Sequence, residues 1–184
     1  LGSGFSVFSI RNPQSAIRNT MAFSVSLLLL AAGCSYYSFS GALPAHLKTV
    51  AVPLFGNDEQ RTLIYGVEES LTDAVIEGFV KDGNLKVVDR TRADSMVSGR
   101  IVEIREEPFT YTADEQAKQW KVRIFVEAAY EDVKKKETRW EEKLLEGWGV
   151  YEVVTGDPDE RQKGVDAAIA MLVEEIVDRT VAGW

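Results

Sequence analysis

The chain has 184 residues, of which 21 are basic, 29 acidic and 45% hydrophobic, for a formal net charge of -8. That balance excludes general nucleic-acid binding, which needs a positive field to displace counterions from phosphates. The single cysteine excludes a disulfide within the chain, so stability must come from packing.

In chain order, Arg11 and Arg18 precede an apolar run over 22–32 that contains Leu27-Leu28-Leu29-Leu30 and is closed by Ala31-Ala32-Gly33 and Cys34. Spanning a bilayer takes about 20 apolar residues, so this run is too short and reads as the removable apolar segment of a bacterial lipoprotein signal. The narrow backbone at Ala31-Ala32-Gly33 suits a membrane peptidase, and the thiol of Cys34 is the one sulfur available to carry a diacylglycerol. Ala31 stands where such signals usually carry Leu. A structural cysteine after a core helix is the alternative, but a core helix would show polar interruptions at helical spacing, and this run has none. Ser35, where an Asp is the usual mark of inner-membrane retention, makes the outer membrane the expected destination.

The expected organisation is therefore a signal peptide over 1–33, with 1–20 reading as upstream sequence, a lipidated cysteine and short tether over 34–47, and one domain over 48–184. Residues 34–184 keep all 29 acids and 19 of the basic residues, a net charge of about -10. A mature chain of that size can bury about 70% of its unfolded surface.

Within the domain, the mostly apolar stretch 48–55 predicts a strand stopped by Gly56-Asn57-Asp58, with Pro53 marking an edge position or an early end. Leu63, Ile64, Val67, Leu71, Ala74, Val75 and Phe79 share one face of a predicted helix over 61–81, and Gly83-Asn84 supplies a left-handed stop. Short strands follow over 85–89 and over 95–106, the latter closed by Pro108. Over 119–132, Trp120, Val122, Ile124, Val126, Ala128 and Tyr130 alternate with Lys121, Arg123, Phe125, Glu127, Ala129 and Glu131, the pattern of a strand with one buried and one mixed face. Lys134-Lys135-Lys136-Glu137 reads as a hairpin turn, and 139–153 returns with Trp140, Leu144, Trp148 and Val150 on one face. Trp120, Trp140 and Trp148 are all expected in the core. Asp157-Pro158-Asp159-Glu160 signals the start of a final helix, whose apolar stripe runs from Val165 to Thr180.

Two one-sided helices and one sheet predict an α+β fold: a single mixed four- to five-stranded sheet with both helices packed on one face. The strands flanking the first helix should pair in parallel through a right-handed crossover, and the later strands should add as antiparallel hairpins. The second sheet face is left uncovered, and Phe125 among Lys121, Arg123 and Glu127 suggests that it meets something partly polar.

Cys34 followed by Tyr37-Ser38-Phe39-Ser40-Gly41, then Leu43-Pro44 and Lys48-Thr49-Val50-Ala51-Val52-Pro53-Leu54-Phe55, resembles the LptE family of lipopolysaccharide-assembly outer-membrane lipoproteins. The resemblance implies a sheet backed by two helices and a non-enzymatic partner of the β-barrel translocon LptD, seated partly in its lumen and able to bind lipopolysaccharide. It implies no cofactor. Lys134, Lys135, Lys136 and Arg139, with Arg90 and Arg92 as a second group, are candidates for lipid A phosphates; a solvated, edge-protecting hairpin tip is the plainer reading of the first group. Tyr37 and Phe39, with Lys121, Arg123 and Phe125, are candidates for the partner face. Phe39 alternatively packs beneath the first strand, and aromatic rings near the anchor also suit the membrane interface.

No catalytic motif is present: there is no Gly-x-Ser-x-Gly elbow, no glycine-rich phosphate loop and no His-Glu-x-x-His segment. His46, the only histidine, has no second ligand to complete a metal or nucleophile set and is expected to be structural or exposed. A lipoprotein that regulates a cell-wall synthase or builds a secretion pore is the alternative function. Crossing the periplasm would need a long tether, whereas the roughly 12 residues here reach only about 40 Å.

Overall fold

The computed structural model describes residues 43–57, 64–152 and 158–182. Cys34, Tyr37 and Phe39, the signal and most of the tether lie outside the described residues, as do the expected first residues of the first helix and the Asp157 cap. The strands are β1 (Thr49–Ala51), β2 (Gly56–Asn57), β3 (Lys86–Val87), β4 (Ser95–Tyr111), β5 (Ala117–Asp132) and β6 (Glu137–Glu152); the helices are α1 (Val67–Asp82) and α2 (Pro158–Val181). The α+β class holds, with six strands rather than four or five. They form one mixed sheet in the order β3-β1-β4-β5-β6, and β2 pairs separately with β4.

β1 lies parallel to both β3 and β4, the arrangement expected of a crossover through α1. β4, β5 and β6 form the long antiparallel meander. The strand expected over 48–55 ends at Ala51, two residues before Pro53, because a residue without an N–H cannot continue an interior ladder. The chain then rejoins the sheet at Gly56 and Asn57, which pair with Arg100 and Ile101 where a turn was expected. β4 runs on to Tyr111 through Pro108. This part of β4 lies beyond its last pairing with β2 and forms a sheet edge, where a missing donor is tolerated. α1 begins at Val67 after a turn through Gly66, which has φ +78°.

Both helices cover one face of the sheet. Val50, Val97, Ile101, Val122, Ile124 and Val126 from the strands meet Leu71, Val75 and Phe79 of α1 and Leu172 and Ile176 of α2 in a single apolar core, each of them fully buried. The seat of α2 on β6 is set by glycine. A Cβ on Gly147 would stand 2.1 Å from the Ala168 carbonyl oxygen, and one on Gly149 would stand 2.0 Å from that of Gly164. Two residues of strand advance about 6.6 Å and four of helix about 6 Å, so the two contacts repeat in step along an antiparallel strand–helix pair. Bare Cα atoms thus let the helix backbone lie directly on the strand.

That seating corrects the expected faces of β6. A register shift between the pairs Val126–Leu145 and Ala128–Glu142 inserts an irregularity near Lys143. Trp140 stays on the helix side, whereas beyond the irregularity Leu145, Gly147, Gly149 and Tyr151 face α2. Leu144 and Trp148 fall on the open face, 60% and 41% exposed, so Trp148 leaves the expected core and Leu144 the face it was expected to share with Trp140.

Candidate functional site

The described residues carry two chemically distinct surfaces: a basic end of the sheet and the open sheet face. At the basic end, residues 133–136 turn from β5 into β6 and stand beside the start of β4. Asp94 organises the junction. Its Oδ2 accepts the backbone N–H groups of Lys48 and Thr49 at 3.1 Å each, and its Oδ1 receives Lys134 Nζ at 2.5 Å. The Lys134 ammonium and these backbone donors hold the Asp94 carboxyl well below the usual carboxylate range. Lys134 therefore fastens the hairpin to β1 and β4 and is not a free cation. Next to it Asp132, 1% exposed, accepts from the Lys135 backbone N–H at 3.0 Å and pairs with His46 Nε2 at 2.5 Å. Burial pushes the Asp132 carboxyl up, but His46 and the backbone donors outweigh burial and the net direction is down. His46 is thus structural: it clamps the last residues of the tether to the hairpin.

Arg90 and Arg92 lie on a 3₁₀ turn, Arg90–Arg92, only two residues before Asp94. The Arg92 carbonyl accepts from Thr49 Oγ1 at 3.5 Å. The structure therefore brings both basic candidate groups to one end of the sheet. Arg92 pairs with Asp89 at 2.5 Å and Arg139 with Glu137 at 3.5 Å, both in exposed positions where such pairs contribute little. Lys135, Lys136 and Arg90 have no ion-pair partner among the described residues, and Lys48 and Lys86 stand exposed at the same end. A depression of about 560 Å³ between Pro53, Lys86, Arg90 and Arg92 continues this surface. Lys48, Lys86, Asp94 and Asp132 had no local signature in the sequence, because what assembles them is strand register.

On the open face, Arg123 reaches Glu146 through two hydrogen bonds of 2.7 and 2.9 Å and approaches Glu107 at 3.8 Å. Glu146 holds the Arg123 guanidinium further up its ordinary range. The Arg105 and Arg123 guanidinium groups lie 5.5 and 5.1 Å from the Phe125 ring centre. They leave Phe125 only 6% exposed, so this candidate for a partner face is already covered by its own neighbours. Lys121 Nζ sits between two aromatic rings instead, 4.6 Å from Phe109 and 4.8 Å from Trp148. Phe109, Tyr111, Leu144 and Trp148 are the apolar groups this face leaves open. The sequence did contain the signal for Trp148: glycines on both sides at Gly147 and Gly149 mark the face that a backbone approaches, and the tryptophan between them must point the other way.

Among the described residues no group of His, Cys, Asp and Glu could hold a metal ion, and no helix is long and apolar enough to cross a membrane. The arrangement offers a basic end, a polar sheet face with exposed aromatics, and a helical back.

A two-layer α+β body of this topology recurs among solved structures. The hypothetical protein CT253 from Chlamydia trachomatis is similar with a TM-score of 0.52 at 12% identity, covering 72% of this chain and 95% of its own. Protein XCC0632 from Xanthomonas campestris is similar with a TM-score of 0.53 at 13% identity, covering 76% and 89%. Identities this low define the fold alone. A comparison with curated protein sequences returned no match. The family model for LptE, described as lipopolysaccharide-assembly, matches residues 47–180. The chain belongs to the LptE family.

Proposed function

We propose that this chain is a lipid-anchored, non-enzymatic subunit on the periplasmic side of the outer membrane that partners the LptD β-barrel and assists lipopolysaccharide assembly. Family membership supports the role. The observation that carries its detail is the meeting of tether and cations: the chain enters the domain through Leu43 and Pro44, and His46 is fixed beside the basic hairpin tip. Cys34 precedes Leu43 by nine residues, about 30 Å at full extension. An acylated Cys34 would hold the basic end within that reach of the lipid headgroups. One acyl chain binds a membrane only marginally, whereas a diacylglyceryl group plus an amide-linked chain makes a lasting anchor.

Lipid A phosphates are the ligand that best fits this end, with Lys135, Lys136 and Arg90 as free donors and Arg92 and Arg139 able to exchange exposed carboxylates for phosphate. Lys134 is assigned to the fold. The open sheet face suits the polar lumen of a barrel, with Lys121, Phe109 and Trp148 as its contacts and the Arg123 network beside them. Tyr37 and Phe39 are assigned to the interface near the anchor. The combined variant Arg90→Ala, Lys135→Ala, Lys136→Ala should lower lipopolysaccharide binding by the purified domain about tenfold or more at an unchanged melting temperature. Unchanged binding would remove the phosphate assignment.

A further inference from the structure

The side of the molecule away from the sheet carries a surface that the proposed role does not use. α1 links the parallel strands β1 and β3 and so runs against them, and α2 runs antiparallel to β6, which is parallel to β4. The two helices are therefore parallel, and both C-terminal ends fall on the same side. They pack closely where a Cβ on Gly78 would lie 2.7 Å from Val173 and 3.1 Å from Val177. Along this seam runs a groove of about 630 Å³ whose floor is Ala74, Gly78, Ala170, Val173 and Val177.

Its rim is acidic. Glu77, Asp82, Glu174 and Asp178 line it against a single cation, Lys81. Glu77, Glu174 and Asp178 have no side-chain hydrogen bond or ion pair among the described residues. Two features make this arrangement unfavourable on its own. Glu174 and Asp178 are like charges at i,i+4, which destabilise a helix, and Asp82 and Asp178 sit in the last turns of their helices, where the helix dipole already supplies negative potential. Lysines on this rim would relieve both costs. The molecule instead presents a narrow apolar floor between four carboxylates and one lysine, with Glu77, Glu174 and Asp178 lacking a side-chain partner among the described residues.

We infer that this groove docks a basic amphipathic helix of a partner protein, with a ridge of small apolar residues on the Ala74–Gly78 and Val173–Val177 floor and Lys or Arg side chains reaching the rim on both flanks. Charge complementarity selects this occupant: an acidic or neutral helix would leave the carboxylates unpaired, and an anionic lipid surface would be repelled. The inference does not depend on lipopolysaccharide binding at the other end of the fold.

The test places a photo-activated crosslinking side chain at Ala170, exposed at the edge of the floor, in the full-length protein within the cells that make it, and identifies the crosslinked peptide by mass spectrometry. Support requires a peptide from another protein with net positive charge and helical apolar spacing. Its yield should fall about tenfold in the double variant Glu77→Lys, Glu174→Lys, with the melting temperature of that variant held or raised. The milder Glu77→Gln, Glu174→Gln pair should give an intermediate loss, which keeps the test valid if lysines disturb folding. Failure to obtain a protein adduct at Ala170 would overturn the inference. So would an adduct with lipid, with this chain's own residues or a second copy of it, or with a neutral or acidic segment, and so would a yield indifferent to the rim charges.

Discussion

Lys134 and Lys135 are neighbours in sequence and opposites in role. The Lys134 ammonium is committed to Asp94, while Lys135 and Lys136 project from the hairpin tip. Lys134→Ala should therefore lower the melting temperature, whereas Lys135→Ala with Lys136→Ala should leave it unchanged, and thermal unfolding followed by circular dichroism separates the two. Asp132 carries a heavier consequence because it is 1% exposed and joins tether to hairpin. Replacing it with Ala leaves the Lys135 N–H and His46 without their acceptor, at a cost of about 1–3 kcal/mol. Asp94, Asp132 and Glu106 all have carboxyls held below their ordinary values, Glu106 chiefly by Arg161. Groups of this kind contribute stability above the unfolded carboxylate range, near pH 4, and lose it as pH falls through their lower folded values. Acid unfolding should thus begin only below about pH 4, and Lys134→Ala should move its midpoint upward. None of these pairs could be read from sequence spacing, because Asp94 and Lys134 lie 40 residues apart and only the β4–β5 register brings them together.

The periodic elements were readable where one period ran unbroken. The alternation over 119–132 corresponds to β5, and the 3.6-residue spacing of Leu71, Val75 and Phe79 to the buried face of α1. Reading failed where an irregularity reset the phase: the shift in β6 moved Trp148 and Leu144 to the opposite face from Trp140, and the only local mark of it is the pair of glycines flanking Trp148. Pro108 misled for a different reason, since its cost depends on whether a neighbouring strand needs its missing N–H, and beyond β2 none does. The close seating of α2 on β6 makes its glycines the sharpest test at this level. Gly147→Ala should destabilise the domain by about 3 kcal/mol, because the clash at 2.1 Å is with helix backbone rather than a movable side chain. Ser98→Ala, on the open face, should change stability by less than about 0.5 kcal/mol in the same denaturant titration. Glu106 ties β4 to both later elements, accepting from Tyr151 at 3.0 Å and from Arg161 at 2.8 and 2.6 Å. Glu106→Gln should accordingly loosen the first turns of α2, seen as faster exchange of the first hydrogen-bonded amides, over 162–166.

At the scale of the whole molecule, the layers divide the labour: the sheet supplies a basic end and an open polar face, and the helices close the core and present an acidic seam. The net charge of -8 conceals this separation, since the surplus acids lie largely on the helices while free cations gather where the tether arrives. Under the proposed function, this separation lets the open face meet the barrel while the basic end meets the lipid headgroups. Purification of the acylated protein from its native membranes in mild detergent, with the mass and amount of every companion determined, tests this most directly. The expected result is a large outer-membrane β-barrel in near-equal molar amount, lost when Lys121, Phe109 and Trp148 are replaced together by Ala. Repeated recovery of the intact, acylated protein with no barrel beside it would contradict the account.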